Sequence, residues 1–235
     1  MSEIYENGVF RGRKTVQRKA EVGGARSVFV KLQGNKNELV YPTFGGQIKN
    51  PFKGPAKLFA GDLMEYRTDE NGLNPEIYLL KTYQVVSASG TTINILNDGY
   101  KHTPFVGDKL GVAPDELGGA VDAVTITAVK NAEVGGKKVW AVTTSGSLTA
   151  SADDVLVEVD EDGNMLVENS NAVAPTDLDM FDAPATGDED FDGARYFYTP
   201  ALGGVMYTNK ISPLPECVKK LNKTNINGWF QIQSV

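Results

Sequence analysis

The residues of this chain with the clearest chemical pattern are a run of alternating carboxylates. Asp188, Asp190 and Asp192 precede Gly193, and carboxylates at positions 1, 3 and 5 with glycine at position 6 open a calcium-binding loop. The twelfth position is Thr199, where such a loop needs a bidentate glutamate, and no helix is predicted before it. An acidic, solvated turn is therefore favoured. We predict no metal site, and these three aspartates are the residues that would supply ligands if one existed.

Nucleophilic and general-base chemistry would depend on two residues, because the chain has one histidine and one cysteine. His102 lies in a turn-like segment with no partner indicated by the sequence, so a surface histidine or one satisfied within a turn is expected. Cys217 precedes Val218, and only Lys219 and Lys220 could lower its pKa. A buried, inert thiol is expected. A single cysteine also excludes an internal disulfide.

Two pairs of neighbouring carboxylates, Asp69 with Glu70 and Asp153 with Asp154, are the remaining catalytic candidates. Glycosidases use two carboxyl groups across a sugar bond, but adjacent carboxylates in turns are usually solvated. The diglycines lack the spacing of a phosphate-binding loop. The sequence therefore predicts a protein that is not an enzyme and has no cofactor.

Charge is distributed unevenly along the chain, although the total is only -7. Residues 1–57 carry eleven basic and four acidic side chains, whereas residues 153–194 carry fourteen acidic side chains and no basic one. The acidic total disfavours nucleic acid as a partner, and no apolar run is long enough to span a membrane. A basic arm instead complements an acidic protein surface. The proposed binding residues of the arm are Arg11, Arg13, Lys14, Arg18 and Lys19.

Short strands are predicted between these charged segments, so the fold class is mainly β. Pro and Gly are frequent in residues 1–57, which predicts an extended arm lying on the chain's own body or on a neighbour. Residues 58–152 form the predicted β-barrel or sandwich body. Gly-Asp dipeptides at positions 61–62 and 107–108 suit tight turns between strands. The predicted strands of the body are Lys57–Ala60, Leu63–Tyr66, Glu76–Val86, Thr92–Leu96, Ala123–Val129 and Lys138–Thr144.

The last two segments are an acidic hairpin with a strap at 153–194 and a C-terminal segment at 195–235. The hairpin is predicted from two apolar runs, Asp154–Val159 and Met165–Glu168, around an Asp-Gly turn. The C-terminal segment is predicted to close onto the body through a short helix at Pro215–Asn222 and a final strand.

The C-terminal sequence resembles the end of head fibre and capsid-decoration proteins of tailed bacteriophages, with the crAss-like phages of Bacteroides as the most similar group. The residues that carry the resemblance are Gly204–Tyr207, Lys210–Val218 and Ile226–Phe230, and in the body Ala60–Leu63, Glu76–Val86 and Val106–Asp108.

This resemblance implies a structural virion protein on the outer surface of the phage head, assembled in the bacterial cytoplasm. Its expected partner is the major capsid protein, and a homo-oligomer, either a dimer or a trimer, is expected. The alternative is a soluble β-rich module that binds carbohydrate or calcium. Whether the acidic segment packs on the body stays open.

Overall fold

The computed structural model describes residues 42–98, 101–180, 196–202, 204–207, 213–219 and 230–233. The prediction of a mainly β protein with a barrel-containing body is confirmed. The strands, in chain order, are β1 Gly46–Ile48, β2 Ala56–Leu58, β3 Leu63–Arg67, β4 Glu76–Leu79, β5 Thr82–Ser89, β6 Thr92–Leu96, β7 Lys109–Val112, β8 Ala123–Val134, β9 Lys137–Thr144, β10 Val155–Glu158, β11 Ala172–Val173, β12 Leu178–Met180, β13 Phe197–Tyr198, β14 Gly204–Tyr207 and β15 Phe230–Gln233.

Six strands form a closed antiparallel barrel in the order β10, β5, β6, β9, β8 and β7. Apolar side chains alternate with polar ones along the strands, and the apolar set points inwards. Tyr83 and Val85 on β5 and Ile93 and Ile95 on β6 are each at most 1% exposed. Closure pairs the strand edges where β7 meets β8 and β10, and it buries this core at the same time.

A second sheet has the order β11, β3, β4, β1 and β13, in which only β1 and β4 are parallel. Ala201, just after β13, forms a bridge with Val173 on β11 at the opposite end of the sheet. The sheet therefore curls back on itself. Its inner side chains include Ile48, Phe52 and Ile77.

A layer of apolar side chains joins the outside of the barrel to the second sheet. Val157 and Val159 contribute from the barrel side, and Leu63 contributes from β3. Cys217 and Val218 belong to the same layer, in the single helical turn at residues 216–219. This part of the C-terminal segment therefore packs on the body.

Two predicted elements have different partners or limits from those expected. The predicted strand Glu76–Val86 is two strands, because the chain leaves the second sheet after Leu79 and enters the barrel at Thr82. β10 lies in the predicted hairpin, but it pairs with β5 and β7 and completes the barrel. Only the bridge between Val159 and Met165 joins the two predicted halves of that hairpin.

Both Gly-Asp dipeptides form the same turn before a strand. The Asp62 carboxylate accepts the Phe59 N–H at 2.7 Å, and the Asp108 carboxylate accepts the Phe105 N–H at 2.9 Å. The intervening glycines have φ of 95° and 91°, a conformation that strains residues with a side chain. The predicted turns are confirmed, and each places an aspartate at the start of a strand.

The β8–β9 hairpin is a ribbon that extends well past the end of β7. Gly135 and Gly136 connect its strands with φ of 57° and 78°, as in a type I′ turn. β7 pairs with β8 only at residues 123–125. A bulge between Ile126 and Ala128 adds one residue to β8. The alternation of backbone directions therefore changes phase there, so that residues after the bulge point their N–H and C=O groups to the opposite side from the one that the pattern before it would give.

Candidate functional site

An open cleft lies where the barrel meets the second sheet, and we refer to it as the junction cleft. Its volume is about 540 Å³. It is lined by the segment after β1, the start of β7 and the end of β10, together with one residue between β4 and β5. The lining residues are Lys49, Asn50, Pro51, Phe52, Lys53, Lys81, Gly107, Lys109, Glu158, Val159, Asp160, Glu161 and Leu166.

The inner wall of the junction cleft is an ion pair between Lys81 and Glu158. The Lys81 Nζ donates to Glu158 Oε1 at 2.7 Å and to the Pro51 carbonyl at 3.0 Å, and it lies 5.0 Å from the centroid of the Phe52 ring. The Asn50 amide donates to the second carboxylate oxygen at 2.9 Å. With the Lys81 side chain 1% exposed and that of Glu158 9% exposed, the pair holds the segment after β1 against the barrel.

The only histidine of the chain, in the loop before β7, lies behind this wall and contacts the first residue of β5. His102 Nδ1 accepts the Thr82 N–H at 3.0 Å, and Nε2 lies 3.1 Å from Asp62 Oδ2. Because Nδ1 accepts a hydrogen bond, the ring proton is on Nε2 and points at the carboxylate. Both side chains are 1% exposed. The arrangement fixes the loop before β7 to β5 and leaves the imidazole out of contact with solvent.

Asp108 is a further buried carboxyl group at the same end of the barrel. Lys53 Nζ lies 3.5 Å from its Oδ1, but within the described residues this oxygen accepts no hydrogen bond. Burial raises the pKa of the Asp108 carboxyl above its ordinary value, although the nearby Lys81 ammonium opposes that shift. Burial, and then the charge of Asp108, raises the pKa of Tyr83 well above its usual range.

The rim of the junction cleft differs from its wall, because its cationic groups reach solvent. The side chains of Lys49 and Lys53 are 38% and 51% exposed, and Lys109 is half-buried. Lys49 lies 3.9 Å from an exposed carboxylate of Glu76, a separation that contributes little in water. Asp160 and the exposed Glu161 also line the junction cleft, so the rim offers ammonium groups for carboxylates of a partner surface beside carboxylates of its own.

The structure tests only some of the candidate residues from the sequence. The basic residues Arg11, Arg13, Lys14, Arg18 and Lys19 lie outside the described residues, as do Asp188, Asp190 and Asp192. His102 is buried and hydrogen-bonded, so the expectation of a satisfied histidine is confirmed and that of a surface position is wrong. Cys217 is 3% exposed, as expected of a buried thiol.

The carboxylate pairs are used in turns. Asp69 accepts the N–H groups of Asn71 and Leu73, and Asp154 accepts the N–H of Ser151 at 2.7 Å. Hydrogen bonding lowers the pKa of Asp69, most strongly through the Leu73 N–H. These carboxylates shape their own loops.

Sequence reasoning did not identify the residues of the junction cleft. Lys81 lies within an apolar run that predicts one continuous strand, and Glu158 lies 77 positions further along the chain. The one available signal was the second Gly-Asp dipeptide, because it predicts the turn in which Asp108 is buried. Long-range pairing of this kind has no local signature.

Comparisons with protein-family models, curated proteins and solved structures found no match for this chain. In the described parts of the chain, no helix has the length and apolar character to cross a bilayer. Within the same residues, no three His, Cys, Asp or Glu side chains are grouped so that they could hold a metal ion.

Proposed function

We propose that this chain is a structural virion protein, a decoration or head fibre subunit that is anchored to the major capsid protein of a tailed phage. Its work is adhesion through shape and charge, with no cofactor. The proposal rests on the C-terminal and body resemblance and on the concentration of basic residues in the first part of the chain. It places the protein on the outer surface of the head.

The geometry that supports this proposal best is the attachment of the arm to the body. β1 pairs with β4 on one side and β13 on the other, and Ile48 and Phe52 are 2% and 1% exposed. The residues that follow β1 bring Lys49 and Lys53 to the rim of the junction cleft. Two basic residues of the arm are thus fixed on the body, as an anchoring device requires.

Deleting residues 2–31 tests the arm directly. Purified capsids lacking the decoration protein are mixed with the wild-type chain or the truncated chain and sedimented. We expect wild-type protein to sediment with capsids and the truncated chain to be lost from the pellet. Equal retention of both proteins would contradict the anchoring role of the arm, and absence of binding by either would contradict the capsid proposal itself.

A double substitution tests whether the lysines of the rim contribute to capsid binding specifically or only through the total surface charge. Lys49→Ala with Lys109→Ala removes two rim ammonium groups, and we expect weaker capsid binding at low salt and a shallower loss of binding as salt rises, because fewer ionic contacts remain to be screened. The matched control is Lys57→Ala with Lys219→Ala, which removes two lysines paired on the surface with Asp179 and Glu216. Equal loss in both pairs would show that only total charge matters.

A further inference from the structure

Beyond Ile126, the strand β8 has an outer edge that no other strand in the described part of the chain covers. β7 stops opposite residue 125, and β9 pairs with the opposite side of β8 up to the turn. The side of β9 that faces away from β8 is covered, because β6 pairs along it. Just past β6, the Asn97 N–H continues the ladder by donating to the Lys138 carbonyl at 3.0 Å. Among the residues that the structure describes, nothing pairs with the outer edge of β8, and the ribbon is open on that side only.

The direction of the backbone groups on β8 follows from the turn. A two-residue turn makes its flanking residues, Val134 and Lys137, a hydrogen-bonded pair. Residues alternate in direction along a strand, so the N–H and C=O groups of Val129, Asn131 and Glu133 point away from β9. Within the described chain these groups have no hydrogen-bond partner.

The exposure of this edge agrees with that geometry. Lys130, Asn131, Ala132 and Glu133 are all exposed. An open edge with several free donors and acceptors in regular alternation is a template for another strand. Charged residues on such an edge discourage most partners, so a partner must avoid placing like charges opposite one another.

We propose that the free edge of β8 pairs with the same edge of a second copy, antiparallel and centred on Asn131, to form a two-fold symmetric dimer. This inference does not depend on the proposed capsid role. In the centred register Asn131 lies opposite Asn131 of the second copy, and Val129 lies opposite the second copy's Glu133.

Charge selects this register from its neighbours. Only residues whose backbone groups point outwards can form the hydrogen-bonded pairs, so allowed registers differ by whole two-residue steps. The centred register places Lys130 opposite Ala132 and no like charges opposite each other. A step towards the barrel places Lys130 opposite Lys130, which is unfavourable. A step towards the tip brings Asn131 opposite Glu133 and leaves Val129 facing the Gly135 turn.

The arrangement also predicts which oligomer forms. A two-fold axis uses the same edge on both copies and leaves no further open edge on the ribbon. The pairing therefore closes at two subunits. Of the dimer and the trimer expected from the sequence resemblance, this edge favours the dimer.

The first test is the mass of the full chain in solution, measured by sedimentation velocity and light scattering over a wide concentration range. We expect wild-type protein to rise with concentration from 25.3 kDa to twice that mass. Asn131→Pro removes an outward N–H while preserving the ladder to β9, and strand prolines are tolerated at such edge positions. It should remain monomeric, while the control Asn131→Thr should dimerise like wild type.

The second test does not require the proline variant to fold. Asn131→Cys places two thiols opposite each other at the symmetry axis, at a separation that a disulfide can bridge. We expect mild oxidation to produce a covalent dimer. The control, Lys137→Cys, lies on β9 away from the paired edge and should crosslink far more slowly. The native Cys217 is buried and gives little background.

Three results would overturn the inference. They are a wild-type chain that stays monomeric at every concentration, a folded Asn131→Pro variant that dimerises like wild type, and a trimer as the first assembled species. Equal crosslinking of Asn131→Cys and Lys137→Cys would also contradict it, because random collision would then explain the dimer. None of these outcomes affects capsid sedimentation by the arm, so the two proposals fail independently.

Discussion

Removing either partner of the Lys81–Glu158 pair should strongly destabilise the protein. Lys81→Met leaves the Glu158 carboxylate buried with only the Asn50 amide as a partner, and Glu158→Leu leaves a buried ammonium against the Pro51 carbonyl. A buried charge that loses its partner costs about 3–5 kcal/mol. We expect each single variant to lose that amount of unfolding free energy.

The double variant Lys81→Met with Glu158→Leu should lose about as much unfolding free energy as either single variant, and far less than the sum of the two. It removes both charges and leaves the Pro51 carbonyl and one Asn50 proton without partners, at about 1–3 kcal/mol for each unsatisfied group. The departure from additivity is therefore expected to be about 3 kcal/mol, at the upper end of the range reported by such cycles for contacting residues.

Urea unfolding of the four proteins at constant pH measures this cycle. The midpoint should fall in each single variant while the slope with denaturant is unchanged, as expected when stability alone changes. Losses that add to within about 0.5 kcal/mol would show that the two side chains act independently. That result would refute the conclusion that the pair holds the segment after β1 on the barrel.

Three other predictions concern titratable groups. His102→Asn, which can still accept the Thr82 N–H but loses the donor to Asp62, should cost about 1–3 kcal/mol in thermal or urea unfolding; no loss would refute the described ring orientation. Asp108→Asn should stabilise the protein at neutral pH, because the raised pKa of Asp108 means that its ionisation opposes folding. The gain in unfolding free energy should shrink as the pH falls through that raised pKa. A gain independent of pH would contradict this. Asp69→Ala should destabilise the protein at pH values above the ordinary aspartate pKa, because the folded-state pKa of Asp69 is lowered. The difference in unfolding free energy from wild type should vanish as the pH falls through the lowered pKa. A difference that persists in acid would refute this prediction.

The local β-structure could be predicted from the sequence because strands depend on short-range alternation. The apolar runs at Thr92–Leu96 and Lys138–Thr144 match β6 and β9 closely. The run Glu76–Val86 misled because its division occurs at Lys81, whose burial depends on a distant carboxylate. Alternation shows that a residue lies in a strand, but it does not show which sheet the strand joins.

The charged interior illustrates the same limit. Nothing in the sequence around His102 indicates its partner Asp62, which is 40 positions away. The pairing arises in the fold, because Asp62 precedes β3 of the second sheet and His102 lies in the loop before β7 of the barrel. One local signal was missed. The Asp-Glu-x-Gly sequences at positions 69–72 and 160–163 form similar loops, in which the aspartate accepts N–H groups two and four residues later. That repeated pattern predicts turns, which removes Asp69 and Glu70 from the catalytic candidates.

The placement of β1 within its sheet determines how the body responds to pulling forces. Tension on the chain before Pro42 reaches the body through β1, which is hydrogen-bonded to β4 and to β13. A pull along the strand direction loads the bonds at Gln47, Ile48 and Lys49 together, in shear, rather than opening them one after another. A tether joined in this way resists extraction better than one attached at the edge of a sheet.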